Sequence, residues 1–426
     1  MNYPDSVHFL YALGNEIQTA KFGLERIRAT LEALGRPQDR LRFIHVAGTN
    51  GKGSVCAMIE SALRAEGLRT GLFTSPHLAE PTERIRIAGR PVEAGQFAGA
   101  FNRVHRGAEK LLTAGAIDFH PTYFETVTAM AMLIFAEEGV DRVVLEVGLG
   151  GRLDATNVVT PELCVITPVD FDHEAFLGKS LESIAREKAG ILKAGVPAVF
   201  AEQRPEAAGV LEDRAAALGI AVTRTTNWRT RELEMDARGS RFVLTNGSSL
   251  HIHCGLAGEH QVSNAVTAAV ALLRLGTSHH AIEAGIAAAE WPGRLERVRV
   301  HPEIILDGAH NPAGARALAA YIDRFYAGRC VRLIYGAMRD KAIAEMSGLL
   351  FPRAQQVVVT APKQARAFSP EAMREVSDHP NLSTAPTIES ALELVRDASP
   401  TDVIFITGSL FLVAEARAIL TNEGAL

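Results

Sequence analysis

The stretch Phe43-Ile-His-Val-Ala-Gly-Thr-Asn-Gly-Lys-Gly-Ser54 decides the fold prediction. An apolar run over residues 41–47 fits a buried strand, and residues 54–65 then carry apolar side chains at helical spacing. A strand, a glycine turn and a helix in this order present backbone N–H groups and a helix N-terminus to phosphate. We therefore predict a nucleotide site, with Lys52 on the outer phosphates and Ser54 on Mg²⁺.

The spacing of this glycine turn departs from the standard P-loop. Val46 stands where the first glycine of that motif would be, and Gly53 separates Lys52 from the hydroxyl of Ser54. The plain alternative is a glycine turn between a strand and a helix, with a solvated lysine. The strand, turn and helix context favours phosphate binding.

Short β-rich runs alternate with helical patterns along the chain, which predicts an α/β fold with mostly parallel sheets. Residues 80–106 read as a polar stretch, and a helix capped by Ser180 is expected to carry Ile184, Lys188 and Ile191. Further strands of the first half are predicted at 69–73, 142–147, 163–167 and 197–200.

The pattern changes in the second half of the chain. Residues 223–254 alternate and contain Asn246-Gly247, which predicts antiparallel hairpins, so we expect a small antiparallel appendage and a sheet that becomes mixed there. Beyond the break at 291–293 we place the boundary between an ATP-binding domain, 1–296, and a smaller Rossmann-like domain, 297–426. The strands of this second domain are predicted at 304–306, 331–335, 356–360 and 403–407.

Composition restricts the classes of function. The 426 residues carry 44 basic and 49 acidic side chains, a net charge of -5, so there is no overall basic field to hold nucleic acid or an anionic membrane. Cys56, Cys164, Cys254 and Cys330 form no CxxC pair and are expected to be reduced, mostly buried thiols. With no leader pattern and no apolar run near 18 residues, we expect a cytoplasmic protein.

The glycine turn resembles the P-loop variant of the Mur ligase superfamily, and further motifs resemble folylpolyglutamate synthase and its bifunctional dihydrofolate synthase relatives. They follow the family order along most of the chain. The motifs are Gly48–Ser54, Thr74–Leu78, Thr122–Glu125, Glu146–Asn157, Asp172-His173, Glu187–Gly190, Pro292–Glu296, Asp307–Pro312, Gly336–Lys341 and Gly408-Ser409.

The resemblance implies an ATP-dependent ligase that joins L-glutamate to a folate carboxylate, with a central ATPase domain, a strand-rich appendage and a Rossmann-like C-terminal domain. Chemistry supports this expectation, because a carboxylate resists attack by an amine until phosphorylation gives an acyl phosphate. The expected partners are small molecules, namely ATP, L-glutamate and a folate or dihydropteroate. We expect a monomer, and neither nucleic acid nor a membrane as partner.

Family resemblance also implies a two-ion Mg²⁺ site. In that reading Glu146 bridges the ions, Ser54 binds one, and Ser75 with His173 completes the second. Lys188 matches a lysine that is carbamylated in related ligases, which makes it an anionic oxygen ligand and requires a neutral amine. Without the family, His173 would be an ordinary histidine and Glu187-Lys188 a solvated charged pair.

Resemblance further implies nucleotide contacts from both domains. Asn264 matches the residue on adenine, Arg294 the one on phosphates and Asp307 the one on ribose. The plain alternatives are a helix-decorating Asn264, an Arg294 paired with Glu296, and an Asp307 that ends a strand. His310 is placed in the site without a defined role. The residues expected to take part in catalysis are Lys52, Lys188 and His310. ATP contacts are also expected from the loop residues Thr49, Asn50, Gly51, Lys52, Gly53 and Ser54.

The pterin contacts implied by the family fall in three segments. An aromatic face there can stack on a flat heterocycle, although Phe124 also fits ordinary core packing. Bifunctional relatives can carry an acidic residue where Lys21 stands, which leaves dihydropteroate use open beside a monofunctional folylpolyglutamate synthase. The residues expected on folate are Phe22, Thr122, Tyr123, Phe124, Glu125, Leu153, Asp154 and Ala155.

Two other functions compete with this one. A muropeptide ligase normally has a further N-terminal domain, and the roughly forty residues before the P-loop strand are too few for a typical domain. A non-catalytic nucleotide-binding regulator would not need Ser75, Glu146, His173 and Lys188 together. Release of ADP that depends on a folate and L-glutamate distinguishes the ligase from the regulator.

Overall fold

The structure, a computed structural model, describes residues 1–13, 23–339 and 341–423. It divides into two compact units, and the boundary predicted after residue 296 stays a prediction. The first unit comprises Met1–Arg231, Val243–Ile252 and Ser263–Ala289, and the second Glu232–Phe242, His253–Val262 and Glu290–Leu426.

A mixed but mainly parallel sheet of eight strands forms the centre of the first unit, as far as the described residues go. Its order is β4-β3-β2-β5-β1-β6-β7-β8, and only β3 and β4, at one edge, pair in antiparallel fashion. The strands are β1 (Phe43–Ala47), β2 (Thr70–Phe73), β3 (Ile85–Ile87), β4 (Arg90–Pro91), β5 (Arg142–Glu146), β6 (Leu163–Ile166), β7 (Ala198–Phe200) and β8 (Val222–Arg224).

Strand β1 lies inside this sheet, between β5 and β6, and pairs in parallel with both. All five of its residues are buried, as expected of a parallel strand that helices cover on both faces. The loops that follow β1, β5 and β6 therefore leave the same edge of the sheet, which is where parallel α/β sheets bind ligands.

Helices of the first unit pack on the sheet through two apolar clusters. Two of the helices also approach each other closely at Gly285, where a β-carbon would lie 2.2 Å from the α-carbon of Ala62. The helices are α1 (Tyr3–Ala12), α2 (Glu25–Ala33), α3 (Lys52–Ala65), α4 (Ala94–Thr113), α5 (Tyr123–Glu137), α6 (Glu174–Leu177), α7 (Leu181–Lys188), α8 (Pro205–Leu218), α9 (Glu259–Arg274) and α10 (His279–Ala287).

Two sequence-based expectations for these helices need correction. The polar stretch predicted for 80–106 contains the β3-β4 hairpin and the first half of α4, whose buried face packs on α5. The helix capped by Ser180 ends at Lys188, so Ile191 lies in a following 3₁₀ turn. The cap itself is confirmed, because the side chain of Ser180 accepts a hydrogen bond from the N–H of Ser183.

A separate three-stranded sheet follows, in the order β11-β10-β9. The predicted turn at Asn246-Gly247 joins the last two strands, and Gly247 adopts a φ of +80°, which suits glycine. The expectation that the main sheet becomes mixed here is wrong, because its antiparallel strands are β3 and β4. The strands are β9 (Arg229–Asp236), β10 (Gly239–Asn246) and β11 (Ser248–Cys254).

The second unit contains a six-stranded sheet in the described part of the chain, ordered β12-β13-β17-β14-β15-β16. All of its pairings are parallel except that of β12 with β13, which confirms the Rossmann-like expectation. The strands are β12 (Glu296–Val300), β13 (Glu303–Leu306), β14 (Val331–Tyr335), β15 (Gln356–Val359), β16 (Leu382–Thr384) and β17 (Val403–Thr407), and the helices are α11 (Pro312–Phe325), α12 (Ile343–Leu350), α13 (Ile388–Glu393) and α14 (Leu410–Glu423).

The cysteine prediction is confirmed, since all four cysteines are free thiols and three of them are buried. Among the described residues, no helix combines the length and the apolar character that spanning a membrane requires.

Candidate active site

The glycine loop between β1 and α3 is held by close contacts at two positions. Gly48 has a φ of +150°, and a β-carbon there would lie 1.8 Å from the Oγ1 of Thr167. Gly51 has a φ of +85°, and its β-carbon would lie 2.2 Å from the Oδ1 of Asn264. Gly51 is also the N-cap of α3 and has no side chain to occupy the first N–H groups of the helix. These groups are available to an anion such as phosphate.

The loop after β6 holds the glycine loop from the other side. The N–H of Thr49 donates to the carbonyl oxygen of Pro168 at 2.9 Å, and its hydroxyl donates to that of Asp170 at 2.9 Å. Gln203 fixes this second loop in turn, by accepting from the N–H of Val169 and donating to the carbonyl of Thr167. Thr167, Pro168 and Asp170 were not among the predicted site residues, although they come just after β6, a strand next to β1.

Lys188 reaches this loop from the end of α7. Its Nζ donates to the carbonyl oxygen of Gly48 at 2.8 Å, and the residue is 4% exposed. Burial, and then the charge of Lys52, lower the pKa of Lys188 to about 7. The solvated Glu187-Lys188 pair is therefore the wrong reading, since Glu187 forms its ion pair with Arg152.

Glu146 ends β5 at the same edge of the sheet. It is the register partner of Val46, the residue two positions before the glycine loop, and it is 4% exposed. Its Oε2 accepts a hydrogen bond of 3.0 Å from the N–H of Ser75, which follows β2. Ser54, in the first turn of α3, is likewise 4% exposed. Two predicted metal ligands, Glu146 and Ser75, are thus in direct contact.

His173 lies in the segment that continues from the loop after β6. It precedes α6 with a φ of +51°, and its N–H donates to the Oδ1 of Asp172 at 2.9 Å. Its ring is 3.8 Å from the other carboxylate oxygen of Asp172. That carboxylate also acts on Lys188, whose pKa it raises against the effect of burial. The metal-binding role of His173 stays a prediction.

The first turn of α5 carries the segment predicted to bind the pterin. Thr122 caps the helix by accepting from the N–H of Glu125, whose carboxylate accepts from the N–H of Thr122 in return. Both carboxylate oxygens of Glu125 also accept from Arg26, at 2.8 and 3.0 Å. These side chains therefore have structural partners already, and their folate contacts stay predictions. Phe22 lies outside the described residues.

The two aromatic residues of this segment have different surroundings. Tyr123 is 2% exposed and stacks on Tyr11 at a centroid distance of 5.8 Å, so it is a core residue. Phe124 is half-buried and lies against Gly148, where a β-carbon would be 2.5 Å from its Cζ. Phe124 keeps an accessible surface beside the loop that follows β5.

Asp154 organises that loop. Its carboxylate accepts hydrogen bonds from the N–H groups of Gly148, Leu149 and Thr156, and burial raises its pKa. Ala155 is buried and Leu153 is half-buried. The role of these three residues on folate stays a prediction, while the hydrogen bonds of Asp154 directly shape the loop.

Predicted nucleotide residues of the second unit gather around Asp307, which directly follows β13. Its carboxylate accepts from the N–H groups of Leu295 and Ala309, both at 3.0 Å. Burial raises the pKa of Asp307, and the charge of Arg294 opposes this shift. The Nδ1 of His310 donates to the carbonyl of Gly308 at 2.8 Å.

Arg294 is close to the same turn. A β-carbon on Gly308 would lie 2.7 Å from its Nη1. Glu296 was the alternative partner suggested for Arg294. Its carboxylate accepts a hydrogen bond of 2.9 Å from the Nε of Arg417 and another from the N–H of Gly293. Arg294 and Asp307 are thus neighbours, and their ATP contacts stay predictions.

The arrangement of the first unit, with a glycine loop, a buried lysine and a buried carboxylate at one sheet edge, has a counterpart in known sequences. The Mur ligase middle domain matches residues 46–272, and the Mur ligase, glutamate ligase domain matches residues 293–410. The chain belongs to the Mur ligase family. Within this family its relatives are folylpolyglutamate synthases and dihydrofolate synthases.

Two relatives and one solved structure illustrate the similarity. The dihydrofolate synthase/folylpolyglutamate synthase of Bacillus subtilis is 35% identical over 93% of this chain and 94% of its own length. A Haloferax volcanii protein is named as a bifunctional folylpolyglutamate synthase/dihydropteroate synthase. It is 36% identical over 99% of this chain, and this chain spans only 51% of the length of that relative. The Mycobacterium tuberculosis folylpolyglutamate synthase, solved with ADP and AMPPCP, is 33% identical with a TM-score of 0.90, covering 98% of this chain and 99% of its own.

Proposed function

We propose that this Mur ligase is an ATP-dependent ligase that adds L-glutamate to the carboxylate of a folate. The observation that carries the proposal is the contact between Lys188 and Gly48, which links two motifs 140 residues apart at the nucleotide loop. Glu146, the register partner of Val46, adds a buried carboxylate to the same sheet edge. A regulator that only binds a nucleotide has no need for these groups.

Chemistry explains what this chain's residues would do. A carboxylate is activated when ATP phosphorylates it, since the acyl phosphate is open to attack by the amine of L-glutamate and releases phosphate. The glycine loop and the N–H groups at the start of α3 would bind the phosphates of ATP. Lys52, in the first turn of α3, would neutralise the outer phosphates during transfer.

Mg²⁺ fits the donor set near the loop. The buried carboxylate of Glu146 and the hydroxyls of Ser54 and Ser75 are hard oxygen donors of the kind that Mg²⁺ binds. His173 would be a less usual ligand. When bound, Mg²⁺ neutralises phosphate charge and orients the transferring group. We propose two ions, held by Ser54, Ser75, Glu146, His173 and a carbamylated Lys188.

The surroundings of Lys188 support carbamylation. Carbon dioxide reacts only with a neutral amine, and a pKa of about 7 leaves a large neutral fraction at physiological pH. In the reaction Nζ forms a bond to the carbon of CO₂ and loses one proton, which gives an anionic carbamate. The released proton goes to solvent, and the buried neutral amine is replaced by an anion next to Lys52.

Dihydropteroate is proposed as a second acceptor, because the Bacillus subtilis relative carries both activities in its name. A monofunctional folylpolyglutamate synthase remains the alternative, since Lys21 stands where bifunctional relatives can carry an acidic residue. We propose a monomer that works in a reducing compartment, in keeping with four free cysteines.

The test of the function measures ADP release from the purified full chain with ATP and Mg²⁺. Tetrahydrofolate and dihydropteroate are supplied separately, each with and without L-glutamate. ADP release that requires both an acceptor and L-glutamate supports the ligase, and the acceptor that works distinguishes one activity from two. ATP consumption that neither substrate changes would instead favour a nucleotide-binding regulator.

A further inference from the structure

Two histidines and a glutamate of the first unit form a cluster that the proposed ligase reaction does not use. His105 and Glu109 lie one turn apart on α4, and His120 lies two residues before Thr122, the N-cap of α5. One possible ligand atom from each of the three side chains lies within 4.8 Å of the other two. His105 and His120 are half-buried, whereas Glu109 is exposed.

The distance between the two imidazoles fits a shared metal ion. The Nδ1 of His105 and the Nε2 of His120 are 3.2 Å apart. Two nitrogens bound to one tetrahedral zinc ion, each about 2.05 Å from it, are about 3.3 Å apart. The spacing of the two nitrogens therefore needs little change when an ion replaces the hydrogen bond, and each ring has to tilt so that its lone pair points at the ion.

The protonation of His120 is set by its second nitrogen. The Nδ1 of His120 lies 2.9 Å from the carbonyl oxygen of Pro121, which can only accept, so Nδ1 carries the proton. Its Nε2 then keeps a lone pair that faces His105. A ring N–H bound to a backbone carbonyl is the usual support of a metal-ligating histidine.

Aromatic side chains hold both rings in place. Phe9 contacts His105 and His120 at centroid distances of 4.7 and 5.3 Å, and Phe101 stacks on His105 at 5.6 Å. Two rings with fixed orientation lose little further freedom when an ion binds. Glu109, at the i+4 position from His105, contributes negative charge to the site.

We propose that His105, Glu109 and His120 bind a divalent transition-metal ion, with zinc preferred and water as the fourth ligand. Two imidazoles favour zinc over Mg²⁺, which prefers oxygen ligands. On binding, the proton of His105 moves from Nδ1 to Nε2 through solvent, so both facing nitrogens ligate. The ion ties α4 to the residues just before α5, the helix that starts with the proposed folate segment.

The experiment measures zinc binding by the full chain without a histidine tag, after treatment with a chelator and dialysis. Zn²⁺ is titrated against a chromophoric chelator, and Co²⁺ is added in parallel to report tetrahedral coordination by its visible spectrum. We expect one zinc per chain. His105→Gln combined with His120→Gln should lower the affinity at least about a hundredfold, and Glu109→Gln at least about tenfold.

The control is His280→Gln, which changes an exposed histidine on α10 and should leave the affinity unchanged. Because the two rings belong to an aromatic cluster, Glu109→Gln serves as the variant that keeps the fold. Without metal, Glu109→Gln should have the same melting temperature as the wild type. Added zinc should raise the melting temperature of the wild type more than that of Glu109→Gln. Equal zinc affinity in the wild type and the double histidine variant, or no zinc bound by the wild type, would overturn the site. Neither readout depends on ligase activity.

Discussion

The amine of Lys188 donates a hydrogen bond of 2.8 Å to the carbonyl oxygen of Gly48, at the start of the nucleotide loop. This bond joins the last residue of α7 to the loop that leaves the central strand. The same amine is buried, and the nearby positive charge of Lys52 lowers its pKa further, so its protonation depends on the charge beside the glycine loop.

Activation by carbon dioxide is the first prediction. For an enzyme depleted of CO₂, the rate of activation at fixed dissolved CO₂ should rise with pH and level off above about 7, because burial and then Lys52 lower the pKa of Lys188 to about 7. The direction follows from the chemistry, since only the neutral amine reacts and its fraction grows as the pH rises through the pKa. The measurement is the recovery of ADP release after CO₂ is restored.

The control for this experiment is Lys188→Arg, which keeps the positive charge and should not be activated at any pH. A rate that keeps rising tenfold per pH unit up to about pH 10 would identify an ordinary exposed lysine instead. In that case the carbamate at Lys188 would be rejected.

Removal of the charge at Glu146 is the second prediction. Glu146→Gln keeps an oxygen that accepts from the N–H of Ser75 but loses the negative charge, so kcat should fall at least about a hundredfold while the melting temperature stays within a few degrees. The measurement is ADP release over a range of Mg²⁺ concentrations. The half-saturating Mg²⁺ concentration should rise.

Glu60→Gln is the matched control, because Glu60 is also a buried glutamate, bound to the hydroxyl of Thr70. It should lower the melting temperature and leave the Mg²⁺ dependence unchanged. An equal shift of the Mg²⁺ dependence in both variants would contradict a specific role of Glu146 in binding Mg²⁺.

The third prediction concerns Gly51. In Gly51→Ala the new methyl group would lie 2.2 Å from the Oδ1 of Asn264, so this side chain must move and the Michaelis constant for ATP should rise at least about tenfold. Gly67→Ala provides the comparison, since Gly67 has a similar φ of +90° with no atom within 4 Å of its β-carbon. Both variants should lose about 1–2 kcal/mol of stability through the left-handed backbone, but only the first should affect ATP. Equal Michaelis constants in the two variants would contradict this.

The fourth prediction separates the structural role of Glu125 from binding. Glu125→Ala removes a carboxylate that pairs with the partly buried Arg26 and one half of the capping box, so it should destabilise the first unit by about 3 kcal/mol. Thr122→Ala removes only the cap and should cost about 1 kcal/mol. Denaturant unfolding measures both effects. If Glu125→Ala raised the Michaelis constant for folate tenfold with unchanged stability, its main role would be substrate binding.

Much of the fold followed from local patterns. The strands predicted at 331–335 and 403–407 have these bounds in the structure, since short apolar runs between helical segments leave few alternatives. The strand predicted at 142–147 ends one residue earlier, at Glu146, and parallel pairing places this residue beside Val46. The sequence thereby indicated which sheet edge carries the candidate site.

Other features depend on contacts between distant residues. The hydrogen bond from Arg26 to Glu125 spans 99 residues, and no spacing rule predicts it. Helix α4 was missed for a different reason, because the many polar residues of this segment hid the helical spacing of its buried face. That face contains Phe97, Phe101, Val104 and Ala108.

Strand β1, from which the glycine loop extends, has a neighbouring strand on each side, whereas β8 pairs only with β7 among the described strands. Amide protons exchange with deuterated solvent only when local opening breaks their hydrogen bonds. The five residues before the loop should thus be among the slowest to take up deuterium in this unit, and residues 222–224 much faster. A rearrangement of the loop around a nucleotide would then leave the hydrogen bonds of β1 intact.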